Sequence, residues 1–184
     1  YIHWPFCLAK CPYCDFNSHV RAGIDIDLWR ASLLADMAHE AQAGLVEPLS
    51  SIFFGGGTPS LMPPRLVADL LEQARRLWGF ADGIEITLEA NPSSVETANF
   101  ADLAQAGINR VSLGLQSLED EALRFLGRLH NAAEGLAALD VARRGLPVIL
   151  VEKSAVLGGR AAELGQVYPS ELEARELVQR LVDQ

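Results

Sequence analysis

Cysteine is nearly absent from this sequence of 184 residues, and all three of its cysteines lie between positions 7 and 14. An odd number of thiols within so short a stretch does not form the disulfide framework of a small secreted domain. We therefore expect the thiols to remain reduced and to serve chemistry. A reducing compartment follows from this expectation, and the cytoplasm is the location that it favours.

Long hydrophobic runs and an excess of positive charge are also missing. No segment approaches the ~20 apolar residues that a membrane helix needs, so no transmembrane segment is expected. The sequence carries 15 Lys and Arg against 24 Asp and Glu, a net charge of -9. Because nucleic-acid binding depends on Lys and Arg neutralising phosphates, no nucleic-acid partner is expected. The chain opens on Tyr1 without a basic segment and cleavage site, so no secretory signal is expected. Because it does not begin with Met, we expect a fragment of a longer protein or a chain trimmed at its front edge.

Short apolar runs alternate with longer segments of helical periodicity, which is the pattern of parallel βα units. The predicted strands cover residues 1–3, 51–54, 84–89, 110–115 and 147–151. The predicted helices cover residues 26–43, 64–78, 95–106, 118–128 and 132–144. About five parallel strands fall short of the eight in a complete barrel. The predicted fold class is therefore α/β, either a partial (β/α) barrel or an open parallel sheet.

Polar or glycine-rich stretches follow four of the predicted strands. The cysteines follow the first strand, residues 55–59 (GGGTP) the second, residues 89–92 (EANP) the third, and residues 114–116 (GLQ) the fourth. Because functional residues in parallel α/β folds lie at the carboxyl ends of strands, these stretches are expected to converge on one rim. Among the histidines, His3 is predicted to be hydrogen-bonded and structural, whereas His19, His39 and His130 are predicted to be solvated.

Cys7, Cys11 and Cys14 have the spacing CxxxCxxC on a segment expected to be an irregular loop. Thiolates this close together can hold one soft metal centre, either zinc or an iron–sulfur cluster. Zinc would need a fourth ligand from His3, His19 or Asp15, since there is no second CxxC pair. Three thiolates could instead hold three irons of a 4Fe–4S cluster and leave the fourth iron open to another molecule.

CxxxCxxC with Tyr13 before the last cysteine resembles the signature of the radical S-adenosylmethionine (SAM) enzymes. In that superfamily SAM binds the open iron, and its reductive cleavage gives a 5′-deoxyadenosyl radical. Six stretches over residues 1–144 resemble the oxygen-independent coproporphyrinogen III oxidase family: YIHWPFC (1–7), CPYCDF (11–16), FGGGTPS (54–60), EITLEANP (85–92), NRVSLGLQS (109–117) and LGRLH (126–130). Phe16 stands where the oxidases proper carry a fourth cysteine, so the sequence looks like the heme chaperone branch of this family.

The resemblance implies a radical SAM core over residues 1–144, folded as an incomplete barrel. It implies a 4Fe–4S cluster, SAM and heme or a porphyrin as cofactors and ligands, and a heme-accepting protein as a partner. An oxidoreductase of porphyrin metabolism, a heme carrier without turnover and a nonfunctional fragment all stay open. The implied cluster ligands are Cys7, Cys11 and Cys14, with Tyr13 beside the cluster; the implied SAM contacts are Tyr1, Gly56, Gly57, Thr58, Glu89, Gln116 and Arg128.

Residues 145–184 depart from the family. Residues 147–160 resemble a strand and glycine pair of the FAD-binding domains found in heterodisulfide reductases, with Glu152 at the ribose position. The glycine-rich phosphate loop that such a domain needs upstream is absent, which argues against dinucleotide binding. We expect an atypical tail that fills a fifth βα position and ends in an amphipathic helix over residues 170–182. Because the tail lacks an Asp that contacts SAM in the family, weaker SAM binding than in a complete homologue is expected.

Overall fold

The computed structural model describes residues 1–21, 23–44, 47–93, 98–143, 166–167 and 172–173. The chain divides into two compact units, Tyr1–Pro147 and Val148–Gln184. None of the described helices is long and apolar enough to cross a bilayer.

The first unit contains six described strands and five described α-helices. The strands are β1 (Ile2–Trp4), β2 (Phe6–Cys7), β3 (His19–Val20), β4 (Leu49–Gly56), β5 (Phe80–Ala90) and β6 (Arg110–Leu113). The helices are α1 (Ile26–Glu40), α2 (Pro64–Trp78), α3 (Phe100–Gln105), α4 (Asp120–Phe125) and α5 (Ala132–Arg143), with short 3₁₀ turns at Ala41–Ala43 and Pro59–Leu61.

A four-stranded parallel sheet in the order β1-β4-β5-β6 forms the centre of this unit. The order follows the chain, with helical segments between successive strands of the sheet, as in a series of βα units. The α/β class and the parallel, partial-barrel architecture predicted from the sequence are confirmed. The predicted strand over residues 147–151 lies outside the described residues, so the fifth βα position stays a prediction.

The core lies between the sheet and helix α2. Phe54 and Leu88 on the two central strands are fully buried, as are Val67 and Leu70 on α2. Helix α2 begins at Pro64, whose fixed φ suits the first turn of a helix. It ends at Gly79, which has a positive φ of 71°. These two punctuating residues explain why the predicted bounds of this helix, 64–78, are correct.

The cysteine-bearing segment is less irregular than predicted. Phe6–Cys7 pairs in parallel with His19–Val20, so a two-stranded ladder closes the base of the loop that carries the other two cysteines. The prediction of an irregular loop is therefore wrong at Cys7. Two-residue strands are too short to produce an alternating sequence pattern, which is why the sequence did not reveal this pair.

Other predicted elements also differ at their ends. Strand β4 covers Leu49–Gly56 instead of residues 51–54, and β6 ends at Leu113 instead of residue 115. The first predicted helix changes to a 3₁₀ turn at Ala41, the predicted helix over 118–128 is confined to Asp120–Phe125, and strand β5 begins four residues earlier than predicted. In the second unit, Gln166–Val167 (β7) and Leu172–Glu173 (β8) pair as antiparallel strands. The helix predicted over 170–182 is therefore wrong at Leu172–Glu173, and its other residues lie outside the described part of the chain.

Leu88 offers a direct test of the core. It is fully buried on the central strand β5, so we expect Leu88→Ala to lower the free energy of unfolding by about 2 to 5 kcal/mol, through lost burial and a residual cavity. The matched control is Leu28→Ala on helix α1, where the side chain is 62% exposed and the expected change is within about 0.5 kcal/mol. Denaturant unfolding monitored by circular dichroism measures both. Equal losses would contradict this description of the core.

Candidate metal and cofactor site

The cysteine-bearing segment is attached to the sheet through the backbone at the end of β4. The Gly57 N–H donates to the Trp4 carbonyl at 2.7 Å, and the Thr58 N–H donates to the Phe6 carbonyl at 2.8 Å. These bonds fix the backbone on either side of Pro5. Cys7 is therefore held at the carboxyl edge of the parallel sheet, where sequence reasoning placed it.

The glycines at the end of β4 are required by close packing against the first strand. A Cβ added at Gly57 would lie 2.7 Å from the Phe6 carbonyl oxygen, and one at Gly56 would lie 2.6 Å from the His3 ring. Gly56 also has a positive φ of 114°, which favours glycine. The structure thus gives Gly56 and Gly57 a packing role, while their contact with SAM stays a prediction.

Gly57→Ala should therefore lower the free energy of unfolding by about 1 to 3 kcal/mol, because the new methyl group would clash with the Phe6 backbone. The control is Gly23→Ala, where an added Cβ would meet no atom of the described chain within 4 Å outside its chain neighbours. We expect that control to be neutral or slightly stabilising. Thermal and denaturant unfolding of the two variants check the pair, and equal stability would be evidence against the packing role.

All three cysteines are free thiols and half-buried. The Cys14 N–H donates to the Cys11 carbonyl at 3.0 Å, so the two residues share one turn. The Cys14 sulfur lies 4.0 Å from the Ser18 hydroxyl, whereas the Cys7 and Cys11 sulfurs accept hydrogen bonds from two other parts of the chain. Each sulfur therefore has its own polar neighbour.

A continuous set of hydrogen bonds, here called the rim network, joins Cys7 to Cys11 across the strand ends. Thr58 Oγ1 donates to Cys7 Sγ at 3.4 Å, and Asn91 Nδ2 donates to Thr58 Oγ1 at 3.3 Å. Arg128 Nη2 donates to Asn91 Oδ1 at 2.7 Å, and Arg128 Nη1 donates to Cys11 Sγ at 3.5 Å. Residues far apart in sequence thus meet at the rim, as the positions after the strands predicted.

Arg128 makes two further bonds at the rim. Its Nη2 donates to the Gly114 carbonyl at 2.9 Å and its Nη1 to the Tyr13 hydroxyl at 3.3 Å. Its Nε is buried and has no hydrogen-bond partner within the described part of the chain. Partial burial raises the pKa of Tyr13 above its usual value, although the Arg128 charge acts in the opposite direction. The phenol is therefore neutral near pH 7.

The three free cysteines are soft sulfur ligands of the kind that an iron–sulfur cluster or a zinc ion binds. Within the described ranges, no group of three or more His, Cys, Asp or Glu side chains is gathered around one point. Three ligands of a 4Fe–4S cluster bind three different irons, so their sulfurs lie farther apart than three ligands of one ion. Soft thiolates with hydrogen-bond donors at two of their sulfurs are the ligands that such clusters use.

Tyr1, just before β1, forms a second group with Gly56 and Glu89 near the ends of β4 and β5. Glu89 Oε2 accepts from the Gly56 N–H at 3.2 Å. The Tyr1 ring stacks on Phe53 with centroids 6.1 Å apart, and its hydroxyl lies 3.3 Å from His3 Nδ1. Partial desolvation and then the Glu89 carboxylate raise the pKa of Tyr1. This places a carboxylate and a neutral phenol on one side of the rim.

Gln116 is the only described residue other than glycine with a positive φ, at 67°. This conformation costs a glutamine of order 1 kcal/mol and is found where the surrounding structure enforces it. Its Nε2 would lie 3.2 Å from a Cβ at Gly114, so the side chain folds back over the end of β6 toward Arg128. The strained residue therefore lies at the rim, as the sequence predicted.

The histidines behave differently from one another. His3 Nε2 pairs with the Asn17 carbonyl at 3.0 Å, which confirms its structural role, and His19 and His39 are exposed as predicted. The prediction that His130 is solvated is wrong, because its ring is buried and Nε2 pairs with the Leu115 carbonyl at 3.1 Å. Burial lowers the pKa of His130, so the ring is neutral near pH 7.

Asn91 is the rim residue to which sequence reasoning gave no role. It lies just beyond β5, between Ala90 and Pro92, and it bridges Thr58 to Arg128. The available signal was a polar amide directly after a buried strand, in the same stretch as Glu89. That position predicts a rim residue but not its partners.

A family model described as the Radical SAM superfamily matches residues 1–159. The chain belongs to the radical SAM superfamily. This membership agrees with the parallel sheet, with the cysteines at its rim and with the resemblance carried by the sequence motifs. The family match extends 15 residues beyond Arg144, the limit expected from those motifs.

Curated relatives of this radical SAM chain include heme chaperones. The protein named heme chaperone HemW of Haemophilus influenzae is 44% identical over 78% of this chain and 39% of its own length. HemW of Escherichia coli K12 is 43% identical over 77% of this chain and 38% of its own length. The radical S-adenosyl methionine domain-containing protein 1, mitochondrial, of Bos taurus is 42% identical over 80% of this chain and 33% of its own length. This chain therefore spans about a third to two fifths of the relatives that it matches.

Among solved structures, coproporphyrinogen III oxidase (HemN) of Escherichia coli, described as a radical SAM enzyme, superposes with a TM-score of 0.70. It is 28% identical and covers 78% of this chain and 33% of its own. The lower identity to this oxidase than to the heme chaperones agrees with Phe16 at the position of the fourth cysteine. This chain is thus more similar in sequence to these two heme chaperones than to this oxidase.

Proposed function

We propose that this radical SAM chain binds a 4Fe–4S cluster through Cys7, Cys11 and Cys14, with SAM beside it. The rim network carries the proposal, because it supplies hydrogen-bond donors to two of the three cysteine sulfurs. Such donors offset the negative charge that thiolates bring to a cluster. Held by these three cysteines and reduced, such a cluster could supply an electron for cleavage of the C5′–S bond of SAM.

Two charged groups of the rim suit the amino-acid end of SAM. A bound carboxylate would supply the acceptor that the buried Arg128 Nε lacks, while the Nη protons keep their bonds to Cys11, Tyr13, Asn91 and the Gly114 carbonyl. Glu89 can accept from an ammonium or a ribose hydroxyl while keeping its bond to Gly56, because a carboxylate has several lone pairs. Contacts from Tyr1, Gly57, Thr58 and Gln116 are part of the same proposal and are supported by their place at the rim.

Heme or a porphyrin is the proposed further ligand, with a heme-accepting protein as the partner. The support is the name heme chaperone carried by relatives 43% and 44% identical to this chain. We propose the cytoplasm as the location, and the mitochondrial label of the Bos taurus relative gives the alternative.

Whether SAM is cleaved distinguishes an enzyme from a carrier. The experiment reconstitutes the chain anaerobically with iron and sulfide, adds SAM and dithionite, and measures 5′-deoxyadenosine together with heme binding. Release of 5′-deoxyadenosine supports a radical SAM oxidoreductase. Intact SAM with bound heme supports a heme carrier with a structural or regulatory cluster, the candidate that the relatives' names favour.

The control is Cys14→Ala treated in the same way, which measures cleavage of SAM that does not depend on the cluster. A wild-type chain that binds neither iron nor SAM would contradict both candidates.

A further inference from the structure

Asn91 connects the two halves of the rim network through the two ends of one amide. An arginine can only donate, so the Asn91 atom at 2.7 Å from Arg128 Nη2 must be the carbonyl oxygen. The amide nitrogen then faces Thr58 Oγ1 at 3.3 Å. Arg128 therefore fixes which way the Asn91 amide is turned.

The direction of the amide determines the direction of the threonine hydroxyl. Because Thr58 Oγ1 accepts from Asn91, its single proton is available to another acceptor, and Cys7 Sγ lies 3.4 Å away. The chain of donors therefore runs from Asn91 to Thr58 to Cys7. Successive hydrogen bonds of one direction polarise each other, so the last bond is stronger than it would be alone.

The same amide also positions the donor to Cys11. Its oxygen, together with the Gly114 carbonyl, holds Arg128 Nη2, and the other end of the planar guanidinium places Nη1 at 3.5 Å from Cys11 Sγ. Because the guanidinium is rigid, fixing one nitrogen orients the other. One asparagine thus orients the hydrogen-bond donors to two of the three cysteine sulfurs.

We propose that Asn91 is a positioning residue that raises the reduction potential of the cluster by aiming Thr58 at Cys7 and Arg128 at Cys11. The inference rests on the proposed function, since it needs a cluster on these cysteines. Reduction adds one negative charge to a cluster, and donors to its sulfur ligands stabilise that charge. A donor that turns away makes the reduced state less favourable and lowers the potential.

The test is a redox titration of the reconstituted chain against dithionite, followed by electron paramagnetic resonance. We expect Asn91→Ala to shift the reduction equilibrium at least tenfold toward the oxidised cluster, or about 59 mV for a one-electron couple. Thr58→Val, which removes the donor to Cys7 alone, is expected to shift it in the same direction. The double variant should shift it by less than the sum of the two, because Asn91 acts partly through Thr58.

The matched control is Asn99→Ala, just before helix α3, where the asparagine side chain makes no capping hydrogen bond. The reduction potential of the cluster in this variant should equal that of the wild type. Iron and sulfide are measured first in every variant. If Asn91→Ala holds no cluster, Asn91→Ser is titrated in its place. If neither Asn91 variant holds a cluster while Thr58→Val does, the proposal is overturned. Asn91 would then be needed for assembly of the cluster and not for setting its reduction potential.

Two failures are distinguishable. A wild-type chain without iron would contradict the proposed function. A loaded wild type whose potential is unchanged in Asn91→Ala, or whose two single shifts add fully in the double variant, would overturn the role of Asn91 and leave the proposed function standing.

Discussion

Replacing Cys7, Cys11 or Cys14 by alanine should reduce the iron and acid-labile sulfide of the reconstituted protein from about four of each per chain to near zero. Each thiolate holds a different iron, and the described residues offer no ready-made group of His, Cys, Asp or Glu that could take over. The measurement is iron and sulfide analysis after anaerobic reconstitution and gel filtration. Each cysteine should be required singly.

The control for these variants is Ala9→Ser, in the same loop at an exposed position, which should keep the full iron content. Circular dichroism of each variant shows that the fold survives, since the parallel sheet packs without these side chains. Stoichiometric zinc in the wild type, with no acid-labile sulfide, would contradict the assignment and favour a zinc site.

Arg128→Lys should weaken SAM binding about 10- to 100-fold, which corresponds to the roughly 1.5 to 3 kcal/mol of one lost charge-assisted hydrogen bond. Lysine keeps the positive charge but has no equivalent of the Arg128 Nε, the donor proposed for the SAM carboxylate. It also cannot reproduce the bonds from Arg128 to Asn91, Gly114 and Cys11. SAM titration against protein of matched iron content gives the dissociation constants.

Arg124→Lys is the matched control, because Arg124 is exposed on helix α4 and lies four residues before Arg128. Its SAM affinity should equal that of the wild type. Equal weakening in both variants, or none in Arg128→Lys, would show that SAM does not depend on the Arg128 guanidinium.

The parallel sheet was predictable because its determinants are local. Short apolar runs alternate with helical periods, and Pro64 and Gly79 mark the ends of α2, so the parallel strands and the bounds of α2 follow from nearby residues. The pairing of Phe6–Cys7 with His19–Val20 was not predictable, because it joins segments too short to carry a pattern. The convergence of the cysteines, GGGTP and EANP on one rim was predictable from strand ends alone.

The partners within the site could not be predicted. Asn91 meets Arg128 across 37 residues of sequence, and that contact depends on strand register and on where α4 ends. The reason for the glycines also required the structure, since a Cβ at Gly57 would lie only 2.7 Å from the Phe6 carbonyl oxygen. Likewise, the burial of His130 follows from the packing around Leu115, which no local pattern reveals.

The central claim, that three cysteines hold a cluster whose fourth iron is open to SAM, is tested most directly by electron paramagnetic resonance of the reduced, reconstituted chain with and without SAM. We predict a 4Fe–4S signal that changes shape and g values when SAM is added, because SAM would become a ligand of the open iron. An iron-loaded chain whose spectrum is identical with and without saturating SAM would contradict the claim.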